Sequence, residues 1–418
     1  MNVLVIGSGG REHTICWSLS KSPKVDKIYC LPGNGGISEI AECVPIGVMD
    51  FDAIVDFVDT HKDIELTVVA PDDPLAAGLV DRLEAKGHRA FGPRANAAII
   101  EASKAFSKYL MKKYGIPTAD YEEFSDYENA IKYLAKAKYP LVVKADGLAL
   151  GKGVIICNTV EEGLQAAKDM MLDGKFKDAG KTVIVEEFMT GQEVSILSFC
   201  DGKTIIPMVN ARDHKRAYDN DEGLNTGGMG TFSPSAIYTP EVEKQVVNEI
   251  ILPTVKAMNE EGRTFKGVLY FGLMLTASGA KVVEYNARFG DPETQVVLPR
   301  LKTDLLDIFN AVVDGTLDKV KIEWTDDACV CVVMASGGYP ESYEKGKEIK
   351  IGNIDKDILL FHAGTKVENG KLLTNGGRVL GVTALGKDIA DARAKAYANV
   401  KKIAFDGAFF RSDIGIKK

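Results

Sequence analysis

Over its first hundred residues the chain alternates two kinds of apolar pattern. Short unbroken runs, "NVLVIG" (2–7), "KIYCLPG" (27–33), "ELTVVAP" (65–71) and "RAFGP" (89–93), have the length and β-branched content of strands buried on both faces. Between them, apolar residues recur at helical spacing: in "REHTICWSLSK" (11–21), where Ile15 and Leu19 share a face, near 51–61, and in "LAAGLVDRLEAKG" (75–87), closed by Gly87. Strand and helix in strict alternation predict a parallel, doubly wound sheet over residues 1–102.

The pattern then changes. "SKAFSKYLMKKYGIP" (103–117) reads as a helix with Phe106 and Leu110 on one face, stopped by Gly115 and Pro117. "PLVVKA" (140–145), "GVIIC" (153–157) and "TVIVEEF" (182–188) read as strands around a helix at 160–172, a small α+β lid over about 120–190. "EVSILSFCDGKTIIPM" (193–208) is a hairpin turning at Asp201-Gly202. A glycine-rich stretch (219–234), a helix at 241–260 and a second hairpin (267–290) complete a central region, 103–325. From 326 to 418, "CVCVVMAS" and "RVLGVTALG" are strands. A final helix at 388–404 places Ile389, Ala392, Ala396, Val400 and Ile403 on one side. The expected fold class is therefore α/β multidomain: an N-terminal Rossmann-like sheet, an α+β centre and a β-rich C-terminal domain.

Composition narrows the function classes. A net charge of −8 argues against a general nucleic-acid or anionic-membrane binder, though a local basic cleft remains possible. No apolar run approaches a membrane span, and Met1 leads at once into the first strand, which predicts no targeting leader and a cytoplasmic protein. Seven scattered cysteines without a C-x-x-C pair, and five dispersed histidines, predict reduced structural thiols and no zinc site.

Three stretches carry chemistry. "KADGLALGKGV" (144–154) puts Lys144 at a strand end and Lys152 at the tip of a glycine loop, a phosphate-binding composition. It fails the Walker pattern twice, by the spacing of Gly147 and Gly151 and by Gly153 after Lys152 where a hydroxyl would bind Mg²⁺. "GSGGREH" (7–13) sits where a dinucleotide fingerprint would. Position 12 is Glu, however, and the second strand ends in Leu31-Pro32-Gly33-Asn34, without the acidic ribose ligand. A smaller phosphate suits that helix N-terminus, with Arg11 beside it; a plain tight turn at Gly9-Gly10 is the alternative. In "VVEYNARFGDPET" (282–294), Glu284, Asn286 and Arg288 fall on one strand face opposite Val283, Tyr285 and Ala287. A carboxylate and a carboxamide are hard oxygen ligands for Mg²⁺, the arginine suits a carboxylate or phosphate, and "GDPET" adds two more carboxylates.

Together, Lys104, Lys144, the loop to Gly153, "VEEF" and the E-x-N strand resemble the ATP-grasp ligases. More narrowly, "GSGGREH", "PGN", "DHKRAYD", "NTGGMG", "EYNARFGDPETQ", "FHAGT" and "NGGRVL" resemble the phosphoribosylamine–glycine ligases, in order and spacing, from residue 1 to about 383. That resemblance implies a reaction. ATP, glycine and 5-phosphoribosylamine give glycinamide ribonucleotide, ADP and phosphate through a glycyl phosphate, in purine synthesis.

It also implies roles. Lys104, Lys144, Gly151, Lys152 and Gly153 would bind the ATP phosphates, the loop closing over them. The peptides of Glu186, Glu187 and Phe188 would read adenine, with Glu193 on the ribose, while Glu284 and Asn286 would hold Mg²⁺ or Mn²⁺. Glycine would sit near Asp213, Gly227, Gly228 and Arg288, and phosphoribosylamine on Gly9, Gly10, Arg11 and Glu12, with Asn34 nearby. Catalysis would fall to Arg288, Asp213 and Lys144, in a monomer with small-molecule partners only. One departure is plain: "LYFGLML" (269–275) offers no acidic metal ligand where many ATP-grasp relatives have one, which leaves the number of ions open. An ATP-grasp enzyme acting on another carboxylate or amine, or a non-catalytic binding module, are the competing readings.

Overall fold

The computed structural model describes residues 1–147, 153–173, 175 and 177–416. The N-terminal strands pair in parallel in the order Glu42–Cys43, Lys27–Pro32, Asn2–Gly7, Ile64–Val69, Ala90–Phe91. Val3, Leu4, Val5 and Ile6 are completely buried, as a strand covered on both faces requires. Glu42–Cys43 adds a short edge strand that no apolar run announces.

The expected helix at 75–87 is two helices, Asp72–Ala76 and Leu79–Ala85, because Gly78 adopts a left-handed φ of +88° that breaks the hydrogen-bond ladder. The helix expected at 241–260 likewise changes pitch midway, through a π turn at Val247–Ile251 just before Pro253, which has no N–H to donate. The last helix stops at Val400, and Ile403 belongs instead to a short strand, Ile403–Ala404.

The lid is an antiparallel sheet ordered Tyr121–Phe124, Val183–Glu187, Leu141–Ala145, Val154–Cys157. Helices Tyr127–Leu134 and Val160–Met171 cover it and enclose a small core of its own around Leu134, Val143 and Met170. The central sheet runs Ile205–Pro207, Gln192–Asp201, Lys266–Thr276, Gly279–Asn286, and its apolar residues merge with those of the N-terminal sheet. The C-terminal sheet draws two strands from the central region. Arg212–Asp213 and Gly230–Ser233 extend the array of Ala328–Ala335, Arg378–Gly386 and Ile358–His362. Three sheets therefore meet near Asp213, Glu284 and Lys144, which lie at or within two residues of the ends of their strands.

Candidate active site

The helix Lys104–Tyr114 delivers the first cations. Ser103 caps it by accepting from the Phe106 N–H, and Gly115 ends it at φ +67°. The Asp146 carboxylate accepts from Ser103 Oγ and from the Ala105 N–H, both at 3.1 Å, which ties the start of the glycine loop to this helix N-terminus. Lys104 donates to the Gly147 carbonyl at 2.9 Å, and burial lowers its pKa. One turn on, Lys108 is buried as well, which the sequence reading missed; its i+4 spacing from Lys104 was the available signal. The loop tip, with Gly151 and Lys152, lies outside the described residues.

Lys144 and Glu186 come from antiparallel neighbours in which Lys144 pairs with Ile184, so the two side chains are diagonal partners on one face. Their ion pair measures 2.9 Å, and Lys108 approaches the same carboxylate oxygen at 3.4 Å. Of the peptides expected to read adenine, the Glu187 N–H already donates to the Asp120 carbonyl at 2.9 Å; Phe188 follows it, half-buried.

The E-x-N strand contains a β-bulge. Gly272 pairs with Glu284 but Leu273 with Val282, leaving Val283 as the extra residue. The bulge changes the phase of the alternation: Ala280 and Val282 are buried before it, Tyr285 and Ala287 after it. Val283 therefore does not continue the Tyr285 and Ala287 face as strict alternation predicted. Its carbonyl accepts from Lys144 at 3.2 Å, and Glu284, Asn286 and Arg288 face the cleft together.

Lys215 of "DHKRAYD" bridges Glu284 at 3.4 Å and Glu193 at 3.2 Å. Lys215 first, then Lys144, Lys104 and Arg288, outweigh burial and hold the Glu284 carboxyl at about 2, so it is charged throughout the working range. Among the described residues no group of three or more His, Cys, Asp or Glu clusters for a metal. Glu284 and the Asn286 amide oxygen thus make a hard, two-donor set, which fits a cation shared with phosphates better than an all-protein cage.

The other end of the cleft is built from arginines and paired carboxylates. Arg288 donates to Asn286 Oδ1 at 3.0 Å and Phe289 O at 3.2 Å, and pairs with Glu101 at 3.0 Å; its Nε is buried without a partner among the described residues. Glu101 also accepts from the Ala287 N–H at 2.7 Å. Asp213 accepts from the His214 N–H at 2.7 Å, and burial together with the Glu293 charge pushes its carboxyl well above the usual range. Glu293 in turn accepts from Tyr270 Oη at 2.9 Å and Ser195 Oγ at 3.1 Å.

Gly228 lies over Asp213 at φ +115°, where a Cβ would fall 2.6 Å from the carboxylate, so only glycine fits. Arg378 of "NGGRVL" holds that turn, donating to Gly227 O at 2.7 Å and to Asp291 O at 2.8 Å. Glu101, Lys215, Tyr270 and Arg378 were not assigned from the sequence, and Glu293 was noted only as a nearby carboxylate.

The N-terminal turn adjoins this end. Arg11 donates to Phe289 O at 3.1 Å, the carbonyl that Arg288 also uses, and its N–H reaches Asp291 at 3.3 Å. Glu12 is turned inward, accepting from the Gly9 N–H at 2.6 Å as a capping box and pairing with Arg11. Asn34 is similarly engaged. Its amide donates to Ser8 O and His362 O, and its oxygen accepts from Gly36 and Ile37, joining the first domain to the last. Glu12 and Asn34 thus hold the turn in shape; Gly9 and Arg11 are half-buried beside it, and Gly10 is buried against Gln295.

Family models match the chain in three blocks. They are phosphoribosylglycinamide synthetase N domain over residues 1–101, its ATP-grasp (A) domain over 102–294 and its C domain over 329–417. A phosphoribosylamine–glycine ligase of Halalkalibacterium halodurans is 50% identical, covering 100% of this chain and 97% of that protein. One from Caldanaerobacter subterraneus subsp. tengcongensis is 48% identical, covering 99% of each. The crystal structure of a phosphoribosylamine–glycine ligase from Thermotoga maritima superposes with a TM-score of 0.87 at 33% identity, covering 99% of this chain and 100% of that one.

Proposed function

This chain belongs to the phosphoribosylamine–glycine ligase family, and from that premise we propose how its site divides the work. It joins glycine to 5-phosphoribosylamine with ATP, yielding glycinamide ribonucleotide, a step of purine synthesis. As an ATP-grasp ligase it uses ATP with a divalent cation. Our reading makes that cation Mg²⁺ or Mn²⁺, held by Glu284 and Asn286, where it would offset phosphate charge.

Lys104 and Lys144 grip the phosphates, joined by Gly151, Lys152 and Gly153 from the loop. Glu186, Glu187 and Phe188 edge the adenine, and Glu193 meets the ribose. The carboxylate of glycine lies against Arg288, whose unpartnered Nε supplies a further donor. Its ammonium lies against Asp213, beneath Gly227 and Gly228. A carboxylate is a poor electrophile, so its oxygen first takes the γ-phosphoryl group, which needs alignment and charge neutralisation rather than covalent help. The amine of phosphoribosylamine, held by Gly9, Gly10 and Arg11 across the shared Phe289 carbonyl, then attacks the acyl carbon and phosphate leaves.

The observation that carries this reading is the convergence of Lys104, Lys144, Lys215 and Arg288 on one ionised carboxylate, Glu284. It is tested by phosphate release from ATP with a divalent cation. Release that requires glycine and freshly generated phosphoribosylamine together supports it; release with bicarbonate or another carboxylate overturns it. We further propose three units, 1–102, 103–325 and 326–418, in a cytoplasmic monomer without nucleic-acid partners. Among the described residues no helix is long and apolar enough to cross a membrane.

A further inference from the structure

Lys108 has no role in the scheme above, yet it is among the most deeply buried side chains of the protein, at 1% exposure. A buried ammonium is costly unless every hydrogen is directed to an acceptor and its charge is balanced. The first condition is met. Nζ donates to Thr118 Oγ1 at 2.8 Å and to Ala119 O at 3.0 Å, and faces Glu186 Oε2 at 3.4 Å. The second is met only in part, because the same carboxylate oxygen takes Lys144 at 2.9 Å. Two buried cations share one carboxylate oxygen, and the further carboxylates, Asp120 near Lys108 and Glu284 near Lys144, act on them without a direct contact. At 1% exposure Lys108 is out of reach of a phosphate, so its charge acts through the partner that does face the cleft.

We propose that Lys108 is a positioning residue for the nucleotide site: by sharing the Glu186 oxygen that Lys144 contacts, it weakens the hold of that carboxylate on Lys144 and leaves part of that lysine's charge for phosphate. The proposal rests on Lys144 gripping ATP, as read above. Without Lys108, Glu186 would act on Lys144 alone, and a phosphate would have to overcome the full attraction of that pair. With Lys108 on the far side, Glu186 is pulled both ways, and Lys144 turns its remaining donors to the Val283 carbonyl and the cleft. Thr118 completes the arrangement, because its hydroxyl passes its own hydrogen to Val282 O of the metal-ligand strand at 2.7 Å.

The groups facing Lys108 are Glu186 and Lys144 from the lid strands, with Asp120 and the Tyr121 ring, 5.5 Å away, from the segment entering the lid. Burial, opposed by Glu186, brings the Lys108 pKa down to about 8. The charge it lends is therefore present below that pH and lost above it.

The test is ATP affinity against pH, by calorimetry with Mg²⁺ between pH 6.5 and 9.5, alongside KM values for ATP and glycine. In the native chain, ATP binding weakens as pH rises through about 8. In Lys108→Met, which preserves the length of the side chain, it is roughly tenfold weaker at pH 7 and loses that alkaline limb, with the KM for glycine little changed. A Lys108→Met protein with native ATP affinity and the native pH profile overturns the proposal. Should that variant not fold, Thr118→Val removes one acceptor of the ammonium and moves the midpoint to lower pH; an unmoved midpoint is equally decisive against it. Calorimetry reads binding without turnover. Failure of the ligase reading would instead appear as ATP binding intact and phosphate release independent of glycine.

Discussion

The two ends of the cleft handle charge in opposite ways. At the phosphate end, Lys104, Lys144 and Lys215 surround Glu284, and Lys215 first among them holds its carboxyl at about 2. At the glycine end, burial and the charge of Glu293 drive the Asp213 carboxyl upward, against the opposing pull of Lys215 and Arg378. One strand, Gly279–Asn286, with the "GDPET" turn after it, serves both ends. On the proposed reading of the site, the difference follows from what each end would receive. A triphosphate arrives with its negative charge and metal, so the protein supplies flexible point charges and one fixed hard ligand. Glycine arrives as a zwitterion, so the protein supplies a planar guanidinium for one end and an under-neutralised carboxylate pair for the other. Two carboxylates of one cleft are thus tuned apart by their surroundings, as acid–base and ligand roles require.

The largest effect expected from breaking this contrast is at Glu284. Glu284→Ala removes the ionised carboxylate of the proposed metal pair and leaves Lys215 with Glu193 alone, so kcat should fall by about a hundredfold or more, with a raised Mg²⁺ requirement in phosphate-release assays. Next is Arg288→Lys. It keeps the charge but loses the fork that reaches Asn286, Glu101 and substrate, and kcat/KM for glycine should fall by about thirtyfold while ATP binding persists.

Asp213→Asn tests the other carboxylate. The native Asp213 carboxyl is raised, so it is protonated at the acid end and ionises as pH increases; kcat/KM for glycine should rise with pH accordingly. The asparagine variant should lose that rise and about tenfold in glycine KM. The smallest change is outside the contrast. Glu12→Ala removes a cap and the partner of Arg11, lowering stability by about 1–2 kcal/mol in a denaturant titration, with its chief effect on folding rather than on ATP.

How much of this was legible in the sequence depended on whether a residue's partner was local. The parallel N-terminal sheet announced itself because its strands are buried on both faces and read as unbroken apolar runs. Lys144 was visible as a lysine ending an apolar run before a glycine loop, and the E-x-N face because a strand's period is two. The bulge at Val283 was not, since it arises from pairing with Gly272 and Leu273 on the neighbouring strand. Lys108 looks like any helix lysine until Thr118 and Glu186 fold onto it. Glu101 and Arg378 act through partners 187 and 87 residues distant (288 − 101 and 378 − 291), a separation that no spacing rule spans. Gly78 was the reverse case: a local signal was present, and a helical apolar pattern on either side concealed it.

The central claim is that the glycine carboxylate, placed between Arg288 and the phosphate-binding lysines, itself attacks the γ-phosphorus. Turnover with glycine carrying ¹⁸O in its carboxyl group tests this most directly, by mass analysis of the released phosphate. The account predicts one glycine-derived oxygen in each phosphate. Phosphate carrying only ATP and solvent oxygen would contradict it.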